Sequence, residues 1–272
     1  MNPDPALRAL DIDLPASPAA LARLGAVMAD EDASVAQLAA VVESDMALAS
    51  AVVRTVNSAM FGLLRRVETV TEAVQYLGLR EVAAITFEMG LRTRFPADPL
   101  LDALWDAARV RGLLMGRVAA RLGLHAWRAH SAGLFAQTGQ AVLFLHDRAS
   151  FAALEAGWPP GTPAHVQAQD EARSFGVDHA VLGAALCRAW GLAADVADCV
   201  RERPFESRWT ARPQSVRELL CVGAVVDEAC AEGASLTADR VAPLAGLAAS
   251  ALTSALAQVR AQLNEGGGEA SA

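Results

Sequence analysis

The run Val41-Val42-Glu43-Ser44-Asp45-Met46-Ala47-Leu48-Ala49, followed by Arg54-Thr55-Val56-Asn57-Ser58-Ala59-Met60-Phe61-Gly62, sets the fold. Upstream of it, Ser34 and Gln37 have capping-box spacing, and Val35, Leu38, Ala39 and Val42 form one apolar stripe, so a short helix starts there. Asp45 is placed to cap the next helix. Asn57 and Ser58 close that helix, because Asn and Ser side chains bond readily to nearby backbone in turns. Thr69 and Glu72 repeat the box before Ala73, Val74 and Leu77, and Gly78 stands where a helix commonly ends in a left-handed residue.

Working outward, Arg94-Phe95-Pro96-Ala97-Asp98-Pro99 combines two prolines with a helix-starting aspartate and marks a boundary between halves. A long helical pattern runs from Leu100 through Leu122 and breaks at Gly123. Thr162 reads as a cap with Pro163 at the first position of another helix. Arg203 to Pro213 reads as a surface loop, with Glu202 and Glu206 solvated. Gly266 to Ala272 cannot bury enough surface to order itself.

Composition agrees with an all-α chain. Of 272 residues 53% are apolar and only 5% aromatic, and the dominant alanine and leucine lose little rotamer freedom in helices. Every basic residue is arginine and the formal net charge is −8, so the whole-molecule field repels polyanions and argues against nucleic acid as a partner. Cys187, Cys199, Cys221 and Cys230 show no CxxC spacing and read as reduced core residues, which predicts a cytoplasmic location. No basic region leads into an apolar run at the N-terminus. Val241 to Val259 is uncharged but rich in Ala, Ser, Thr and Gly, too weakly apolar for membrane insertion.

The quoted stretch resembles the N-terminal signature of the HDOD family, which is related to the HD phosphohydrolases. The family's Asp-Pro-x-Leu helix start appears here as Asp45-Met46-Ala47-Leu48, and its Leu-Arg-x-x-Asn-Ser-Ala helix end matches at Arg54, Asn57, Ser58 and Ala59. Its Ala-x-x-x-Leu-Gly is Ala73 to Gly78. Leu104-Trp105, Ala132-Gly133-Leu134 with Gly139, Glu171, Phe175 to Gly183 and Trp190-Gly191-Leu192 follow in the family's order. The similarity covers roughly residues 14 to 210. It implies an N-terminal helical subdomain (14–97) packed on an HD-like helical bundle (98–264), between a flexible start (1–13) and a disordered tail (265–272). Asp45, Arg54, Asn57, Ser58, Gly78, Gly139, Gly183 and Trp190 are then structural signature residues.

HD chemistry needs a His, a His-Asp doublet and a distant Asp around metal ions that make hydroxide and neutralise phosphate. The family landmarks place the first histidine at Ala108 and the doublet at Ala136-Gln137. The His-His pair after the tryptophan helix falls on Val200-Arg201-Glu202-Arg203-Pro204, which has no histidine. A methyl and a neutral amide do not replace imidazole and carboxylate, so the expectation is a protein without metal or cofactor, and not an enzyme. His179 survives, read as structural beside Trp190. The competing set is Leu145-His146-Asp147, with His125 or His130 and Asp195 or Asp198. Asp147-Arg148 with Ser150 reads better as a helix-capping turn.

The resemblance implies a bacterial signalling module that binds a protein partner, and a cyclic nucleotide or dinucleotide is a second candidate ligand. The alternative is a residual phosphohydrolase or nucleotide-binding protein using a relic pocket of Ala108, Ala136, Gln137 and His179. Arg117 and Arg121, one helical turn apart, and Arg65-Arg66 are candidate contacts for an acidic partner or nucleotide. Phe61, Leu63 and Leu64 form a candidate apolar strip.

Overall fold

The computed structural model describes residues 12, 14–15, 18–30, 32–57, 65–230 and 237–268, with side chains to residue 262 except that of Ala29. All regular structure among them is helical, and no strand occurs. Ser58, Phe61, Leu63 and Leu64 lie outside the described residues. The chain divides into two compact units. One comprises residues 17–94 with 257–272, and the other residues 1–16 with 95–256.

The N-terminal unit holds α1 (Ala19–Ala29), α2 (Val35–Glu43), α3 (Met46–Val56), α4 (Val70–Leu77) and α5 (Leu79–Arg92). Each starts for a local reason. Ser34 and Gln37 bond reciprocally, Oγ accepting from Gln37 N at 3.2 Å and Oε1 from Ser34 N at 2.7 Å. Asp45 Oδ1 accepts from Ala47 N and Leu48 N, both at 3.0 Å. Thr69 Oγ1 takes Glu72 N at 3.1 Å, while the Glu72 carboxylate reaches Glu68 N, one residue before the position a capping box uses. Each such cap is worth about 1 kcal/mol. Leu21, Leu24, Leu38, Val42, Val52, Val56 and Val82 form the core, all nearly inaccessible. Gly78, at φ +86°, turns α4 into α5 in a conformation that a side chain would strain.

The helices of the larger unit follow Phe95. It contains α6 (Pro99–Arg121), α7 (Ala126–Phe135), α8 (Thr138–His146), α9 (Arg148–Ala156), α10 (Ala164–Phe175), α11 (His179–Ala189) and α12 (Ala194–Glu202). After these come a 3-10 helix (Glu206–Ala211), α13 (Gln214–Cys230), α14 (Thr237–Val241) and the start of α15 (Ala249–Gly268). Asp98 caps α6 through Leu100 N at 3.0 Å with Pro99 at the first helical position. α6 packs most tightly on α7, where a Cβ on Gly133 would stand 2.8 Å from Gly112 Cα, so the two backbones touch.

Four expectations need correction. Thr162 does not cap α10; Pro163 occupies that position without a side-chain bond, and Thr162 Oγ1 donates back to Pro159 O at 2.6 Å. The segment after Arg203 is not a surface loop: its 3-10 helix buries Trp209, whose Nε1 donates to Glu202 O at 2.9 Å. Glu202 is 2% exposed and takes Arg212 at 2.8 Å, so it is not solvated. Cys230 is exposed, whereas the other three cysteines are buried and reduced. Burial pushes the Cys199 thiol up to about 12, which leaves it inert.

α15 continues through Gly266–Gly268, which the sequence reading assigns to the tail. The uncharged stretch from Val241 is interrupted by the 3-10 turn at Ala242–Ala245 and by Gly246 at φ +64°. No single helix among the described residues is long and apolar enough to cross a membrane.

Candidate functional site

The helical period of α6 directs Leu101, Trp105, Ala108, Gly112, Met115 and Ala119 inward. Ala108 is fully buried and Ala136, just after α7, is 1% exposed. Gln137 follows in the turn before α8, half-buried. Where the resemblance places three metal ligands, the larger unit therefore offers two methyl groups and an amide.

Gln137 is not idle. Arg111, one helical turn beyond Ala108, is 8% exposed inside the same apolar face. Its Nη1 donates to Gln137 Oε1 at 3.0 Å and its Nε to Asp227 Oδ1 on α13 at 2.7 Å. Arg203 comes in from the end of α12, donating Nε and Nη2 to the other oxygen of Asp227 at 2.9 and 2.6 Å. Two guanidiniums thus share one carboxylate, leaving a local excess of one positive charge. Arg203 Nη1 is buried without a hydrogen-bond partner among the described residues.

The electrostatics follow from that count. Burial and the neighbouring Arg203 lower the pKa of Arg111 from its ordinary value, against the pull of Asp227; an arginine so placed remains a cation at physiological pH. Burial pushes the Asp227 carboxyl up, but Arg203 and Arg111 outweigh it and hold it below the usual carboxylate range. Sequence reasoning missed Arg111, Arg203 and Asp227. The available signal was an arginine in phase with Trp105, Ala108 and Met115, where the pattern calls for an apolar side chain.

A divalent cation needs carboxylate or imidazole donors. This set supplies methyls, an amide and a guanidinium that repels a second cation, so it does not fit a metal ion. Among the described residues no three His, Cys, Asp or Glu side chains gather around a point that could hold one.

Most of the competing set is engaged elsewhere. His146 is exposed at the end of α8. Asp147 caps α9, accepting Ser150 N at 3.0 Å and Ser150 Oγ at 2.6 Å, and these bonds hold its carboxyl below the usual range. His125 caps α7 weakly through Arg128 N at 3.5 Å. His130 is buried and stacked on Trp127, and Asp195 pairs with Arg128 at 2.6 Å.

His179 is fully buried at the start of α11. Its partner is Glu171 on α10 rather than Trp190: Nδ1 lies 2.6 Å from Glu171 Oε2, which also accepts His179 N at 2.7 Å. Gln140 Nε2 donates to Glu171 Oε1 at 2.9 Å, so one buried carboxylate ties α8, α10 and α11 together. His179 Nε2 is buried without a partner among the described residues. Trp190 instead meets Phe135 edge-on at 5.8 Å and donates to Pro15 O at 2.9 Å. The helices approach so closely that a Cβ on Gly139 would fall 1.9 Å from His179 O. Gly183 lies in the same packing, 3.5 Å from Gly139 N by the same measure.

The remaining candidates scatter. Arg117 is half-buried and Arg121 exposed on α6, and each has an interaction partner. Arg65 lies 5.7 Å over the Tyr76 ring and Arg66 is exposed. Asn57 clamps the end of α3: Nδ2 donates to Val53 O and Val67 O, and Oδ1 accepts Val67 N. Arg54, a signature residue, is exposed.

A family model described as the HDOD domain matches residues 14–204. No curated protein matches by sequence. Three crystal structures share the fold at 20% identity. A candidate phosphohydrolase from Shewanella amazonensis SB2B has a TM-score of 0.70, with 98% of each chain covered. An HDOD domain protein of unknown function from Geobacter sulfurreducens gives 0.64, with 96% of this chain and 95% of that one covered. A candidate signal transduction protein from Marinobacter aquaeolei VT8 gives 0.69; 99% of this chain covers 61% of that longer one.

Proposed function

The chain belongs to the HDOD family, and on that premise we propose that it is a bacterial, cytoplasmic signal-transduction module that works by binding a partner protein and not by hydrolysis. One observation carries the reading. The guanidinium of Arg111 is bonded to Asp227 and to Gln137, the position to which the family resemblance assigns a metal-binding aspartate. An internal cation thus stands against the residue that would have faced a metal. The candidate signal transduction protein of Marinobacter, with the same fold, is consistent with such a role.

The test is purification from medium supplemented with manganese and iron, followed by metal analysis and hydrolysis assays on phosphate monoesters and cyclic dinucleotides. Substoichiometric metal, no turnover above the blank and a defined complex with a partner under native expression are expected. One metal per chain that is lost in His146→Ala, or turnover in the wild type, overturns the reading.

A second reading, binding of a nucleotide second messenger without chemistry, is favoured by the excess positive charge of Arg111 and Arg203 around Asp227. Calorimetry with cyclic dinucleotides separates the two: heat that disappears in Arg203→Met supports the nucleotide, and its absence in the wild type removes it.

A further inference from the structure

The N-terminal unit carries a cavity of about 430 Å3 between the end of α2, one face of α3 and the start of α4. Its walls are fixed by bonds already described. Asp45 sets the start of α3, which turns 118° from α2. At the other end Asn57 holds Val67 against α3, which places the α4 start opposite. Leu48, Val52 and Val56 face the core, so the opposite face of α3 presents Ala49, Ser50, Val53 and Arg54 to the cavity.

The chemistry of the lining divides cleanly. Val70 is buried and Ala49 and Val53 half-buried, giving an apolar wall. Glu43, Arg54 and Glu68 are exposed around it, and none of their side chains has an ion-pair or hydrogen-bond partner among the described residues. Two carboxylates against one guanidinium leave a rim of net negative charge. At the start of α4, Thr69 Oγ1 already takes Glu72 N, and the Glu72 carboxylate sits beside it on Glu68 N. Met46, on the same face of α3 as Ser50 and Val53, is 81% exposed. An unbranched thioether left in water beside an apolar wall suits a contact that repacks around a guest.

We propose that this groove docks a short peptide segment of a partner protein in which a basic side chain stands next to apolar ones. The apolar residues cover Val53, Val70 and Met46, and the basic group reaches Glu43 and Glu68. Arg54 rejects a second cation and fixes the direction of the segment through a peptide carbonyl or carboxylate. The proposal rests on the partner-binding reading above but not on the Arg111 centre.

Panning a random heptapeptide display library on the full chain tests it, with selected peptides then measured by fluorescence anisotropy. Enriched peptides should carry Arg or Lys beside an apolar residue and lose at least about tenfold in affinity against the double variant Glu43→Lys, Glu68→Lys. Both sites are exposed, so the variant should melt with the wild type. Enrichment of acidic or uncharged peptides, equal binding to the variant, or no enrichment overturns the proposal. A dimer in sedimentation velocity that the double variant abolishes does so too, since it puts a second copy in the groove. If metal or turnover appears while peptides still bind, only the non-catalytic reading fails.

Discussion

His179 Nδ1 and its own backbone N–H converge on a single oxygen of Glu171, at 2.6 and 2.7 Å, with both side chains out of reach of solvent. The other oxygen serves Gln140. A carboxylate shared among three helices is worth most when all its bonds are made, and its removal strands buried polar groups. Glu171→Ala should cost about 3 kcal/mol in urea denaturation. A loss within about 0.5 kcal/mol would assign the cluster no structural weight.

The Arg111, Asp227 and Arg203 set should respond asymmetrically. Asp227→Asn leaves two guanidiniums facing each other in a largely buried site and should destabilise by about 3–5 kcal/mol. Arg111→Met leaves Asp227 with Arg203 still bonded, so its cost should be visibly smaller. A double-mutant cycle on the two positions measures the coupling; independent effects would contradict the geometry.

Acid should release the same lock. Asp227 has a lower pKa folded than unfolded, so the stability it contributes is fully present above about pH 4, the unfolded carboxylate value. It is lost as pH falls through the depressed folded value. Thermal melts from neutral pH downward should converge for wild type and Asp227→Asn at the acid end. Parallel curves throughout would refute the assignment.

Two glycine substitutions should move stability in opposite directions. Gly139→Ala drives a Cβ into the His179 carbonyl and should prevent folding of the larger unit or cost several kcal/mol, at least about 3. Gly25→Ala, inside α1 with nothing within 4 Å of the added carbon, should stabilise by about 0.5–1 kcal/mol. Circular dichroism melts of both variants decide the comparison.

What was readable in the sequence was what short-range chemistry determines. Ser34 with Gln37, Asp45, Asp98 with Pro99 and Asp147 with Ser150 all start helices, because a cap and its target lie within three residues. The all-helical fold and the family followed from such landmarks. The Arg203 to Pro213 segment misled because its prolines and charges outvote one tryptophan, while the burial of Trp209 depends on contacts that local pattern does not carry. The charged centre was hidden for a similar reason: Arg111 and Asp227 are 116 residues apart, and neither has an ionic partner nearby in sequence. Arg117 and Arg121, by contrast, stand one turn apart on a single helix, a spacing that local pattern does display.

Because the positive charge at Gln137 is covalently tethered to α6, it arrives with the nascent chain and needs no loading step. On the non-catalytic reading proposed above, a chelator would have nothing to strip from this point. The carboxylate of Asp227 likewise finds its counterions, Arg111 and Arg203, within the same unit.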